Sequence, residues 1–358
     1  EILACGAELK NTFCLSRDHY AFLSHHIGDL ENYETLQSFE EGIQHYQNLF
    51  RIRPSLLAAD LHPDYLSTKY AVDRARKENL PLYQIQHHHA HMASCLADNH
   101  RHADEQAIGL IFDGTGYGTD GKIWGGEVLV GSYTSFQRRF HLTETLLPGG
   151  DSAIRNPAKI ALAQLFSLDF PWTDDLAPLR SFDSGQAALL QSQLKQQINC
   201  VQTTSMGRLF DAVSALIGVR QTATYEGQAA IELENLCDPT ETVAYSMPVL
   251  EEEISLTELY QQVLADLRSG SPITCISARF HNGVSEMCRQ VCLQIRQESG
   301  LNTVALSGGV WQNITLLVKT IHMLRHEGFS VLIHHNVPAN DGGIALGQLM
   351  IAAHQLER

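Results

Sequence analysis

Gln86-His87-His88-His89-Ala90-His91-Met92 places four histidines in five consecutive positions at the start of a predicted helix. His87 and His91 are four apart, so on a helix their rings share one face and can grip one metal ion. His88 points about 100° away from that face at ~3.6 residues per turn. With 18 His in 358 residues, roughly one His-x-x-x-His pair arises by chance. His322 and His326 repeat the spacing in a helix where solvated or packing histidines suffice. What distinguishes the first pair is its company further along the chain.

Asp113 follows the apolar run Ile108-Gly109-Leu110-Ile111-Phe112 and opens Asp113-Gly114-Thr115-Gly116-Tyr117-Gly118. Its carboxylate is expected at the carboxyl end of a strand, where open α/β sheets place ligands. The glycines behind it expose backbone N–H groups to a phosphate. Ser307-Gly308-Gly309-Val310-Trp311-Gln312-Asn313 joins a strand to a helix, whose N-terminus favours an anion. Asn313 there can bond a ribose, base or phosphate. Asn340-Asp341-Gly342-Gly343 opens the last helix. Asp341 suits the N-cap of that helix; as a ligand it would complete a set with His87 and His91. Two imidazoles with one or two carboxylates and open positions suit Fe(II), Mn(II) or Zn(II), acting on a carbonyl or phosphoryl oxygen.

Strands and helices must carry these groups. Two short strands flank a polar turn within Leu3 to Leu15, and Ile108 to Val130 reads as a hairpin. Leu56-Leu57-Ala58-Ala59-Asp60, Leu82-Tyr83-Gln84-Ile85 and Val331-Leu332-Ile333 read as buried strands between helices, which implies α/β layering. Helical stretches are expected at 34–50, 65–79, 90–99, 156–166, 185–198, 207–217, 255–267, 277–299, from 313, and at 344–353. Asp169 to Asp183 is the expected surface loop. A second Gly-marked turn about 110 residues after the first points to a duplicated fold with one nucleotide between two lobes. The lobes are expected at 1–145 and 146–358, the last helix packing back on the first.

The chain is long enough for two domains or one two-lobed domain. A net charge of −15 argues against a broad nucleic-acid surface. No apolar run approaches the ~20 residues of a membrane span, and no signal segment opens the chain. Eight scattered cysteines without a CxxC pair form neither a disulfide framework nor a structural zinc site. A cytoplasmic protein is expected. Ile2 to Gly6 already reads as a strand directly after Glu1, as in a piece of a longer protein.

Taken together, His87-His88-His89-Ala90-His91, Phe112 to Gly118, Leu306 to Asn313 and Asn340-Asp341-Gly342-Gly343 resemble the C-terminal domain of the HypF family of carbamoyltransferases. Gly6 to Thr12 and His26 to Asn32 are similar to it as well, so the resemblance covers essentially the whole chain. It implies the two-lobed actin/Hsp70/sugar-kinase-like (ASKHA) α/β fold, with a divalent metal (Fe, Zn or Mn) and a nucleotide in the interlobe cleft. By resemblance His87, His91, Asp341 and Asp113 are metal ligands. Gly114, Thr115, Gly308, Gly309 and Asn313 would line the nucleotide, Asp211 would meet the ribose hydroxyls and Glu226 would lie nearby. Lys10 is a candidate phosphate partner. The implied reaction passes a carbamoyl group from carbamoyladenylate to the C-terminal cysteine of HypE, for the cyanide ligands of [NiFe]-hydrogenase. The adenylate, made from ATP, would come from an adenylate-forming domain upstream of this chain. Rival readings are a tRNA threonylcarbamoyl transferase, a small-molecule O-carbamoyltransferase and a non-catalytic nucleotide-binding module. The first usually has Glu-Gly where His89-Ala90 stands.

Overall fold

The computed structural model describes residues 1–356, apart from the side chains of residues 151 and 152. Residues 357 and 358 of the expected second lobe lie outside the described residues. A five-stranded sheet is built from Ile2–Ala4 (β1), Cys14–Arg17 (β2), Tyr20–Leu23 (β3), Leu56–Asp60 (β4) and Leu82–Ile85 (β5). Tyr33–Phe50 (α1) and Leu66–Glu78 (α2) pack on it, and His87–Asp98 (α3) follows it. The larger sheet contains Ala107–Tyr117 (β6), Ile123–Gly131 (β7), Phe136–Leu142 (β8), Thr145–Pro148 (β9), Cys200–Thr203 (β10), Val249–Leu250 (β11), Glu253–Ile254 (β12), Thr303–Ser307 (β13) and Ser330–Leu332 (β14). The helices that follow are Pro157–Ser167 (α4), Ala177–Arg180 (α5), Ser184–Gln196 (α6), Met206–Leu216 (α7), Gln228–Asn235 (α8), Thr257–Ser269 (α9), Ile273–Ser299 (α10), Ile314–His326 (α11) and Ile344–Leu356 (α12), the last packing on the first sheet.

The two sheets share one plan. In the first, the order is β3-β2-β1-β4-β5, with the hairpin pairs antiparallel and the β1–β4 and β4–β5 pairs parallel. In the second, β8-β7-β6-β13-β14 repeats that order and those senses. The duplication expected from the two turns is therefore present in the pairing. The sheets divide between Ile85 and Ala107, whereas a boundary at 145 would cut β6, β7 and β8 away from β13. Those hairpin strands belong to the second sheet because β6 pairs with β13 over four residues.

One buried cluster joins Ala4, Ala58 and Ile85 of the first sheet to Ile111, Leu129 and Ala305 of the second. Side chains of α3 and α12 fill the space between them. The two helices touch closely at Gly347, where a Cβ would stand 1.9 Å from the Ala90 carbonyl oxygen. Gln348, fully buried on α12, accepts from Gly6 N and donates to Gly6 O, fixing the first turn. Both metal-motif segments are thus held by backbone-level packing. The 169–183 stretch is more ordered than a surface loop. Its Trp172 Nε1 donates to Leu162 O, and Leu176 and Pro178 of the α5 region are buried.

Candidate functional site

Helix α3 begins at His87, three residues before the expected start, because the Gln86 side chain accepts from His89 N and caps it. That early start puts His87 and His91 on successive turns, with ring centroids 5.0 Å apart. His87 Nδ1 donates to Asp60 Oδ2 at 2.8 Å, which turns Nε2 toward the cleft side. Asp113 follows its apolar run but lies inside β6 rather than at the strand end expected, where the β6–β7 register breaks between Phe112 and Gly116. Its Oδ2 lies 3.3 Å from His87 Nε2 and 3.1 Å from His91 Nε2. Its Oδ1 accepts from Gly114 N and Gly309 N, so both Gly-rich turns meet on one carboxylate. Asp341 Oδ1 is 3.8 Å from His87 Nε2 and 3.5 Å from His91 Nε2. Asn340, not Asp341, caps the following turn by accepting from Gly342 N, which leaves the Asp341 carboxylate for the cluster.

The ligand atoms of these four residues all lie within 4.8 Å of one another. Two imidazole nitrogens and two carboxylates, with His87 held in the Nε2-facing tautomer, fit a divalent first-row metal. Without a metal the same groups share protons. Burial would push the His87 imidazolium down, but the Asp60 and Asp113 carboxylates hold it well above the ordinary histidine range. His91 is also raised against its burial by Asp113 and Asp341. Burial works to raise Asp113, yet its bonds to His87 and His91 bring it well below the usual carboxylate range.

The sign for metal binding follows from these directions. Histidines that hold their protons more tightly must release them to a metal, so binding weakens as pH falls. We expect roughly tenfold weaker binding per pH unit for each proton displaced. Calorimetry in two buffers of different ionisation enthalpy measures the released protons; equal apparent enthalpies would contradict this assignment.

Asp60 is the residue the sequence reading left as the end of a buried strand. A carboxylate closing the apolar run Leu56-Leu57-Ala58-Ala59 was the signal available, and the structure buries it at 0 % exposure. Asp60→Ala is expected to weaken metal binding about 10–100-fold while the four ligands remain. Metal titration checks it, and unchanged affinity would remove Asp60 from the account.

The metal-motif carboxylates face a cleft of about 270 Å³, near the lower end of the ~300–1,000 Å³ usual for small-molecule sites. Lys10, Gly114, Thr115, Asp211, Glu226, Gly309 and Asn313 all line it. Lys10 Nζ bonds Glu226 at 2.5 Å, joining the first turn of one sheet's lobe to a loop of the other. That carboxylate raises the Lys10 ammonium against partial burial. Asn313 caps α11 through Leu316 N and directs its Nδ2 to His281 Nε2. Asp211 is raised by burial, with Arg208 opposing.

Gly308 does not line the cleft. Its φ of +105° and the 2.2 Å that a Cβ would leave to Phe112 O account for a glycine at this close strand contact. The structure also brings together Ser307, His334 and Asp98, with Ser307 Oγ 2.8 Å from His334 Nε2 and His334 Nδ1 4.0 Å from Asp98. Ser307 is fully buried, so this set offers no accessible nucleophile.

Residues 1–98 match the family model for the HypF Kae1-like domain, and residues 109–348 match that for the carbamoyltransferase, Kae1-like domain, second subdomain. Carbamoyltransferase HypF of Synechocystis sp. is 38% identical over 98% of this chain and 47% of its own length. A carbamoyltransferase HypF homolog of Cupriavidus necator is 35% identical over 99% of this chain and 92% of its own length. The crystal structure of full-length HypF in a phosphate- and nucleotide-bound form superposes with a TM-score of 0.93 at 43% identity, covering 100% of this chain and 56% of that one. The T. kodakarensis HypF structure gives 0.89 at 31% identity, covering 99% and 48%. The chain thus spans about half the length of the first curated relatives it matches. The α/β fold is that of the Kae1-like domain, in the actin/Hsp70/sugar-kinase-like class. On the two family models and these identities, the chain belongs to the HypF family of carbamoyltransferases.

Proposed function

We propose that this chain binds a nucleotide and a divalent metal in the cleft and transfers a carbamoyl group from carbamoyladenylate to the C-terminal cysteine thiolate of HypE. The observation that carries the reading is the cluster of His87, His91, Asp113 and Asp341 at a cleft lined by Lys10, Gly114, Thr115 and Asp211. In this step the bond from the carbamoyl carbon to the adenylate phosphate oxygen breaks, and a bond to sulfur forms. The electron pair leaves on AMP, and the thiol proton goes to solvent when the thiolate forms.

A metal held by the four residues would supply positive charge to the phosphate oxygen that leaves. Gly114 and Gly309 orient Asp113 through backbone N–H groups, so that carboxylate needs no rearrangement during the reaction. Lys10 stands across the cleft mouth, paired with Glu226, and would turn to the nucleotide phosphate. Asp211 would take the ribose hydroxyls, with Glu226 beside it, and Asn313 would meet the base or ribose edge. The thiolate is the partner's, so this chain supplies no nucleophile of its own. The adenylate would be made by an upstream adenylate-forming domain of the same protein. We place the reaction in the cytoplasm and in the making of the cyanide ligands of [NiFe]-hydrogenase. Among the described residues no helix is long and apolar enough to cross a membrane.

The test mixes this chain, carbamoyladenylate and HypE and weighs HypE by intact-mass spectrometry. Gain of one carbamoyl on the terminal cysteine is expected. No gain with HypE, but gain on tRNA or on a small hydroxyl compound, would reassign the acceptor.

A further inference from the structure

Two cationic side chains, Lys10 and Arg208, line the cleft against the carboxylates of Asp113, Asp211, Glu226, Glu234 and Asp341. Lys10 is engaged by Glu226 at the mouth. Arg208 is different: it is 4% exposed, yet it lines the cleft. Among the described residues its guanidinium makes one ion pair, with Nη2 at 2.9 Å from Asp211 Oδ2. That pair does not use the whole guanidinium, since Arg208 Nε has no hydrogen-bond partner among the described residues. A buried guanidinium has five donors to satisfy, and leaving them unmet is costly.

Arg208 sits in the first turn of the eleven-residue α7, and that turn abuts the Asp113-Gly114 stretch of β6. Ser205 caps the helix, its Oγ accepting from Arg208 N and donating to Asp113 O and Gly114 O. A Cβ on Gly207 would fall 2.8 Å from Gly114 Cα, so the glycine lets the helix end reach that stretch. At Gly114 a Cβ would still stand 3.8 Å from Arg208 Nη2 and 4.0 Å from Nη1, which places the guanidinium over the stretch with space between. The positive end of the helix and a buried, under-satisfied cation therefore converge beside the stretch whose Asp113 belongs to the metal cluster.

We propose that Arg208 and the first turn of α7 form a phosphate subsite, so that the nucleotide phosphate is held between this guanidinium and the metal cluster. The inference rests on the nucleotide reading of the cleft and adds to it the residue that senses phosphate charge from the side of α7. The ligand class is a nucleoside monophosphate or its acyl ester, not a nucleoside.

The test titrates wild type, Arg208→Gln and Arg208→Lys with AMP and with adenosine. Arg208→Gln is expected to weaken AMP about 10–100-fold, the loss of a buried charge-assisted bond, and to leave adenosine unchanged. Arg208→Lys should recover part of the AMP affinity. Equal weakening of AMP and adenosine would mean that Arg208 only holds Asp211, and would overturn the proposal; no weakening of either would do so too. A wild type that binds neither compound would fail the nucleotide reading itself, a result distinct from these. A further measurement needs no loss of charge at this position. In protein labelled with ¹⁵N-arginine, the Arg208 Nε–H resonance, identified by its absence from Arg208→Lys, should move with AMP and not with adenosine. A resonance that ignores AMP would overturn the proposal.

Discussion

Asp113→Ala is expected to reduce carbamoyl transfer by roughly 10³-fold or more, the several kcal/mol that metal-assisted stabilisation of a leaving group supplies. No other side chain in the site has as many tasks. Its Oδ2 closes the cluster with His87 and His91, and its Oδ1 ties the Gly114 and Gly309 backbones together. Removing it leaves two buried imidazoles facing each other over a gap, without a carboxylate that raises their proton affinity. Metal affinity should fall with activity. Metal content after dialysis and single-turnover transfer check both, with far-UV circular dichroism to confirm folding. A folded variant that retains metal and transfers at the wild-type rate would remove Asp113 from the site.

Gly347→Ala is expected to have the largest effect on stability, about 3 kcal/mol, at the upper end of ordinary overpacking. The added methyl would meet Ala90 O at 1.9 Å and Ser94 N at 2.9 Å, both backbone atoms of α3. Neither helix can yield without moving ligands, because α3 carries His87 and His91 while α12 follows Asp341 directly. The urea midpoint should fall, and metal should bind more weakly even in the folded fraction. Wild-type stability together with wild-type metal affinity would show that the α3–α12 contact does not position the cluster.

The groups of the metal cluster were legible in the sequence because short motifs carry them: paired histidines at helix spacing, and carboxylates next to glycines. The sheet plan was partly legible for a similar reason. Apolar runs such as Leu56-Leu57-Ala58-Ala59 and Ile108 to Phe112 are long enough to announce buried strands. Strands β8, β9 and β10 were not, since Phe136-Gln137-Arg138-Arg139-Phe140 mixes charge with aromatics and Cys200 to Thr203 has four residues. The pairing of β10 with β9 and β7 depends on contacts distant in sequence that no local pattern encodes.

Asp60 and Arg208 were missed as site residues on physical grounds. Both act through burial and through a partner distant in sequence, Asp60 through His87 and Arg208 through Gly114. Two adjacent glycines look alike in a sequence, and the structure places Gly308 and Gly309 differently. Only Gly309 reaches the cleft, while Gly308 lets β13 pass close to Phe112.

The central claim is that one metal, held by His87, His91, Asp113 and Asp341, faces the phosphate of a nucleotide in this cleft. Anomalous scattering from crystals grown with Mn(II) and AMP measures it most directly. The account predicts one strong peak bonded to both Nε2 atoms and both carboxylates, with an AMP phosphate oxygen in its coordination sphere. A metal bound at other residues, or AMP seated in the cleft with no metal in contact with its phosphate, would contradict it.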